Sequence, residues 1–144
     1  MAETMFGMPV QVSSNRALIS RTAWGRPVFA ADCLDSKGAD ISSQPEVFTS
    51  LIENAESCNE AVKMAEACAW GSSLDVFTAG TAYTVCDKEL QKEKPTEVVS
   101  ALLNSMMNTC NDKYENEEGT MYRSFNAYCH LSAVEWILDI ATPN

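Results

Sequence analysis

The stretch CNEAVKMAEACAWGSSLDVFTAGTAYTVC, residues 58–86, decides the fold. It opens and closes on cysteine and turns at Trp70-Gly71-Ser72-Ser73. Apolar residues recur at helical steps on both sides of the turn: Cys58, Val62, Ala65 and Ala69 before it, then Val76, Ala79, Tyr83, Cys86 and Leu90. Steps of three and four put such residues on one helix face. Gly71 suits a helix stop, because glycine accepts left-handed dihedrals without a Cβ clash. Ser72 or Ser73 then caps the next helix, with Asp75 near its positive end. Gly80 inside that helix costs about 1 kcal/mol relative to alanine. The small-faced run Ala79-Gly80-Thr81-Ala82 suits close helix approach.

Working outward, the upstream helix is expected to start at Ser43-Gln44-Pro45-Glu46, with Ser43 as N-cap and proline in the first turn. Val47, Leu51 and Ala55 extend its stripe, so one long helix is expected to run to Ala69. Pro95 ends the second helix and Thr96 caps the third, whose stripe is Val99, Leu103, Met106, Cys110 and Tyr114. Asn116 to Gly119 form a turn. Thr120 is expected to cap a fourth helix with the stripe Tyr122, Phe125, Cys129, Ala133, Trp136 and Ile140. The expected fold is all-α: four helices as two disulfide-stapled antiparallel hairpins over residues 44–144, after an irregular N-terminal arm, residues 1–43.

The staples follow from turn symmetry. Antiparallel helices joined by a tight turn bring together residues equidistant from it. Cys58 and Cys86 each lie 14 residues from Ser72; Cys110 and Cys129 lie nine and ten from Gly119. A disulfide needs Cα atoms about 4.4–6.8 Å apart, which facing helix positions meet. The expected pairs are therefore Cys58–Cys86 and Cys110–Cys129, leaving Cys33–Cys68 to pin the arm to the first helix. This is one choice among the roughly 15 connectivities that six cysteines allow. Each bridge contributes about 2–4 kcal/mol, chiefly by restricting the unfolded chain. The alternative is six buried thiols, since free cysteine packs as a small hydrophobe. Two turn-symmetric pairs favour oxidation, and with it an oxidising compartment.

The nine residues between Cys58 and Cys68 resemble one half of the twin CX9C pattern of coiled-coil-helix-coiled-coil-helix proteins of the mitochondrial intermembrane space. The matching second half is absent, because 23 residues separate Cys86 from Cys110.

A chain of 144 residues with net charge −10 fits one domain of modest core. The charge argues against nucleic acid and anionic membrane surfaces. No apolar run reaches the length of a transmembrane span. Residues 1–43 are neutral overall, so residues 44–144 carry the whole −10. From Thr4 to Ala31 there is no acid, while Arg16, Arg21 and Arg26 are present. That composition suits a mitochondrial or plastid transit segment; it equally suits an arm that docks on an acidic surface. The expected compartment is the intermembrane space or a plastid lumen, with the periplasm or the cell exterior as alternatives.

No catalytic, cofactor-binding or metal-ligating residue is assigned. Cys129 and His130 are helix neighbours whose side chains diverge by about 100°, a poor geometry for a Cys–His nucleophile. One histidine and no close CxxC pair leave no zinc pattern. Asp35 to Glu46 has the length of a calcium loop, but Lys37 and Ala39 occupy ligand positions and Asp40 the glycine position. The cluster Asp112–Glu118 reads as a solvated acidic turn. No phosphate-cradling glycine loop is present, and no cofactor is expected.

Arg21, Trp24 and Arg26 form a compact aromatic–arginine cluster, the composition enriched at interface hot spots. They are the expected partner-binding residues. The expected function is a non-enzymatic interaction protein: an accessory or assembly subunit of a larger complex, with protein partners. A secreted or periplasmic binding module, such as an inhibitor, immunity protein or small apolar-ligand carrier, is the alternative.

Overall fold

The computed structural model describes residues 32–142. The described residues form five helices: α1 (Pro45–Glu53), α2 (Cys58–Ala67), α3 (Leu74–Lys92), α4 (Glu97–Tyr114) and α5 (Thr120–Ala141). The fold is all-α. An isolated bridge between Leu34 and Asp40 closes the loop that precedes α1.

The long first helix expected from the apolar stripe is two helices. α1 ends at Asn54, whose amide donates to Ser50 O, and α2 restarts at Ser57. The Ser57 side chain accepts from Glu60 N at 3.1 Å, and the Glu60 carboxylate accepts from Glu56 N at 2.7 Å. A hydroxyl and a carboxylate three residues apart thus satisfy amides that a new helix start leaves unpaired. The buried face shifts with the break: Phe48 and Ile52 are fully buried, while Leu51 is exposed. Each contributes about 1.5–3 kcal/mol by leaving water.

The expected caps are met at α4, where Thr96 accepts from Val99 N at 3.2 Å. They differ elsewhere. α1 starts after Gln44 without a side-chain cap, so Ser43 does not cap it. α5 starts after Gly119 at φ +117°, with Thr120 inside the helix. That dihedral is natural to glycine and strained for other residues.

α5 is the central helix, packed on α3 along one side and on α4 along another. α2 packs on α3, and α1 lies across α2 and α3. α4 makes its main helix contact with α5. The shared core is built from Phe48, Ile52, Leu90, Leu131, Val134 and Ile137, with Cys33 and Ile41 tucked in from the preceding loop.

Candidate interaction surfaces

The six cysteines form three bridges. Cys33–Cys68 joins the loop before α1 to the end of α2, with Cα atoms 4.8 Å apart. Cys58–Cys86 ties α2 to α3 at 4.4 Å, and Cys110–Cys129 ties α4 to α5 at 5.8 Å. Cys58–Cys86 and Cys110–Cys129 are the pairs that turn symmetry selects, and Cys33–Cys68 is the pair they leave. No free cysteine remains, so the chain offers no thiolate for nucleophilic chemistry. Three disulfides fit an oxidising compartment.

Buried polar groups serve the fold. Asp75 is fully buried, and its carboxylate accepts from Trp70 N at 2.9 Å, Gly71 N at 2.8 Å and Ser124 Oγ at 2.6 Å. The turn after α2 and the first turn of α5 are thereby fixed to the positive end of α3. The Tyr128 hydroxyl donates to Ala65 O at 2.6 Å. Burial, then the charges of Asp75 and Glu66, hold the Tyr128 pKa well above the usual phenol range. These contacts clamp α2, α3 and α5 to one another.

His130, beside the Cys110–Cys129 bridge, lies 2.9 Å from Asn111 Oδ1 through Nε2. Asn126 Nδ2 donates to the same oxygen at 3.1 Å. Burial lowers the His130 pKa, partly offset by a hydrogen bond to the Met107 backbone. The imidazole therefore bridges α4 and α5. In the loop before α1, Asp35 Oδ1 accepts from Lys37 N and Ala39 N, and Asp40 Oδ1 accepts from Ser42 N. These carboxylates brace turns. Among the described residues, no group of three or more His, Cys, Asp and Glu is placed to hold a metal ion. No described helix is long and apolar enough to cross a membrane.

What the surface offers instead is apolar. Trp136 and Ile140 were expected on a buried stripe of α5, yet they are 51% and 43% exposed. On α4, Val98 and Leu102 are 77% and 39% exposed. The Cys110–Cys129 bridge sets the register. Leu102 lies eight residues before Cys110 and Trp136 seven after Cys129; Val98 and Ile140 lie twelve before and eleven after. On antiparallel helices rising about 1.5 Å per residue, Leu102 is level with Trp136 and Val98 with Ile140. Four large apolar side chains thus crowd one end of the α4–α5 pair.

A second apolar strip lies on α3. Val76, expected in the core, is 46% exposed and Phe77 is 63% exposed. Burying Asp75 sets the phase of the first turn and turns its neighbours outward. Val76 and Phe77 share one outward face of α3 with Ser73, Gly80, Thr81 and Thr84.

Sequence periodicity missed these surfaces. The available signal was the pairing of apolar neighbours on α4, Val98 with Val99 and Leu102 with Leu103. Such doublets make an apolar arc wider than one helix seam requires. Arg21, Trp24 and Arg26 lie outside the described residues. No protein-family model, curated protein or solved structure matches the chain.

Proposed function

We propose that the chain is a non-enzymatic interaction protein, an accessory or assembly subunit of a larger complex in an oxidising compartment, the mitochondrial intermembrane space or a plastid lumen. The carrying observation is the exposed set Val98, Leu102, Trp136 and Ile140. Large apolar side chains kept exposed at matched levels of two packed helices support a surface that a partner covers. Tryptophan is enriched among the residues that dominate binding energy. The disulfides support a rigid presentation of that surface: Cys110–Cys129 locks α4 and α5 in register, so little ordering entropy is lost on docking. The acidic charge of residues 44–144 supports a partner of neutral or basic rim.

Gradient sedimentation of a native extract under non-reducing conditions tests this reading. The wild-type chain is expected to travel with a species several times heavier than its own 15.8 kDa. Trp136→Asp is expected to release it to the light fractions with its helical circular dichroism unchanged. Wild-type protein found only in the light fractions refutes the reading.

A further inference from the structure

We propose that the Cys110–Cys129 bridge is a reducible clasp: a dithiol reductant opens it ahead of the other two bridges and so frees α4 from α5. Access comes first, because thiol–disulfide exchange needs a thiolate to reach one of the two sulfurs. Cys129 is the only one of the six half-cystines that the fold leaves partly exposed. Cys33, Cys58, Cys68 and Cys86 all lie within the shared hydrophobic core, and Cys110, though buried, lies outside it. Reaching either of the other bridges therefore means opening the core itself.

The helix behind the clasp is lightly held. Of its 18 residues α4 buries only Leu103 and Cys110, whereas α3, at 19 residues, buries six. Its main packing is on α5 alone. Elements with few buried apolar contacts are the ones that open locally while the rest of a fold stays closed. The clasp also closes the shortest loop, its cysteines 19 apart in sequence against 28 and 35 for the other pairs. A short loop restrains the unfolded chain least, so opening this bridge sacrifices the least stability. With the clasp open, Cys33–Cys68 and Cys58–Cys86 still hold the first loop, α2 and α3 together, and the buried Asp75–Ser124 bond still ties α5 to α3.

A thiolate of the dithiol attacks Cys129 Sγ, and the bond from that sulfur to Cys110 Sγ breaks. Cys110 leaves as a thiolate and takes a proton from water. The second thiol of the reductant, deprotonated in turn, attacks its own partner sulfur in the mixed disulfide and releases Cys129 as a thiolate, which is also protonated. Two electrons pass from the dithiol to the bridge: the reductant becomes a disulfide and the chain gains two thiols. Reversal of the same exchange restores the clasp, because the short separation keeps the two thiols at high effective concentration. Opening the clasp removes the lock that holds Leu102 level with Trp136 and Val98 level with Ile140. A partner seated there is released. That last step, unlike the reduction itself, rests on the reading of the α4–α5 surface as partner-covered.

Timed treatment of the full-length oxidised protein with dithiothreitol, quenched with iodoacetamide and mapped by peptide mass spectrometry, tests the clasp. Cys110 and Cys129 are expected to be alkylated about tenfold faster, or more, than the other four cysteines. Hydrogen–deuterium exchange of the protein reduced at this bridge alone is expected to rise along Glu97–Tyr114. Loss of all three bridges together, earlier loss of either other bridge, or an open clasp with α4 still protected overturns the proposal. Release is read separately, by gradient sedimentation of the native extract. The complex is expected to fall to the light fractions once Cys110 and Cys129 alone are reduced, and a complex that stays heavy with this bridge open overturns the release step. An oxidised wild-type chain already in the light fractions refutes the partner reading, and release with it, while the order of alkylation still decides the clasp.

Discussion

Ser124 Oγ donates a 2.6 Å hydrogen bond to the carboxylate of Asp75, 49 residues earlier in the chain. Both residues are buried, so the bond fixes the start of α5 beside the start of α3. It also fixes the rotation of α3, and hence which of its residues face solvent.

Asp75→Ala removes the acceptor of three bonds and strands the Trp70 and Gly71 amides. Hydrogen bonds to an ionised carboxylate are worth more than neutral ones, so a loss of about 3 kcal/mol is expected in urea denaturation. Ser124→Ala leaves the two amide bonds in place and is expected to cost about half as much.

Replacing Cys110 and Cys129 together by serine is expected to cost about 2–4 kcal/mol. The location of the damage is the sharper test. α4 relies on α5 for its main helix packing and on this bridge for its register. Hydrogen–deuterium exchange is expected to rise along Glu97–Tyr114 while α2 and α3 stay protected. Replacing Cys58 and Cys86 instead is expected to open the α2–α3 pair.

His130 gives a pH dependence of known sign. Its folded pKa is lowered, so the unfolded chain takes up the proton first. Stability is fully present above the unfolded value near 6.5 and is lost as pH falls through the folded value. His130 is the only histidine of the chain. His130→Gln is therefore expected to flatten the stability profile between about pH 7.5 and 5.5, as read by thermal unfolding at each pH.

Tyr128 acts at the opposite end. Its pKa is raised, so the fold favours the neutral phenol and loses stability as pH rises past the unfolded value near 10. Absorbance titration is expected to show Tyr128 ionising only with unfolding. Tyr128→Phe removes that step and leaves Ala65 O without its donor, at a cost of about 1–3 kcal/mol.

Much of this architecture is written locally. The cysteine pairing is legible because a short Cα–Cα distance admits only facing positions, and two turns define which positions face. The break between α1 and α2 is also legible, in Ser57 and Glu60 three residues apart. The stripe through Leu51, Ala55 and Cys58 conceals it, because steps of three and four continue across the gap. The phase of α3 is not legible. It depends on Asp75 meeting Ser124, a long-range contact that leaves no periodic trace. Trp136 misleads for a related reason: it follows Cys129 by two turns, but Val134, Ile137 and Leu138 fill the core instead. The exposed surfaces are thus the residue of a core whose partners are distant in sequence.

Photo-crosslinking in the native cell tests the interaction role most directly. A benzophenone amino acid replaces Trp136, and in a separate strain the exposed Lys63 on α2, which shares its helix face with Asn59, Glu60 and Glu66. The expected result is one discrete heteromeric adduct from position 136 and none from position 63. Equal, diffuse labelling from both positions, or no adduct from position 136, is incompatible with a partner covering the α4–α5 surface.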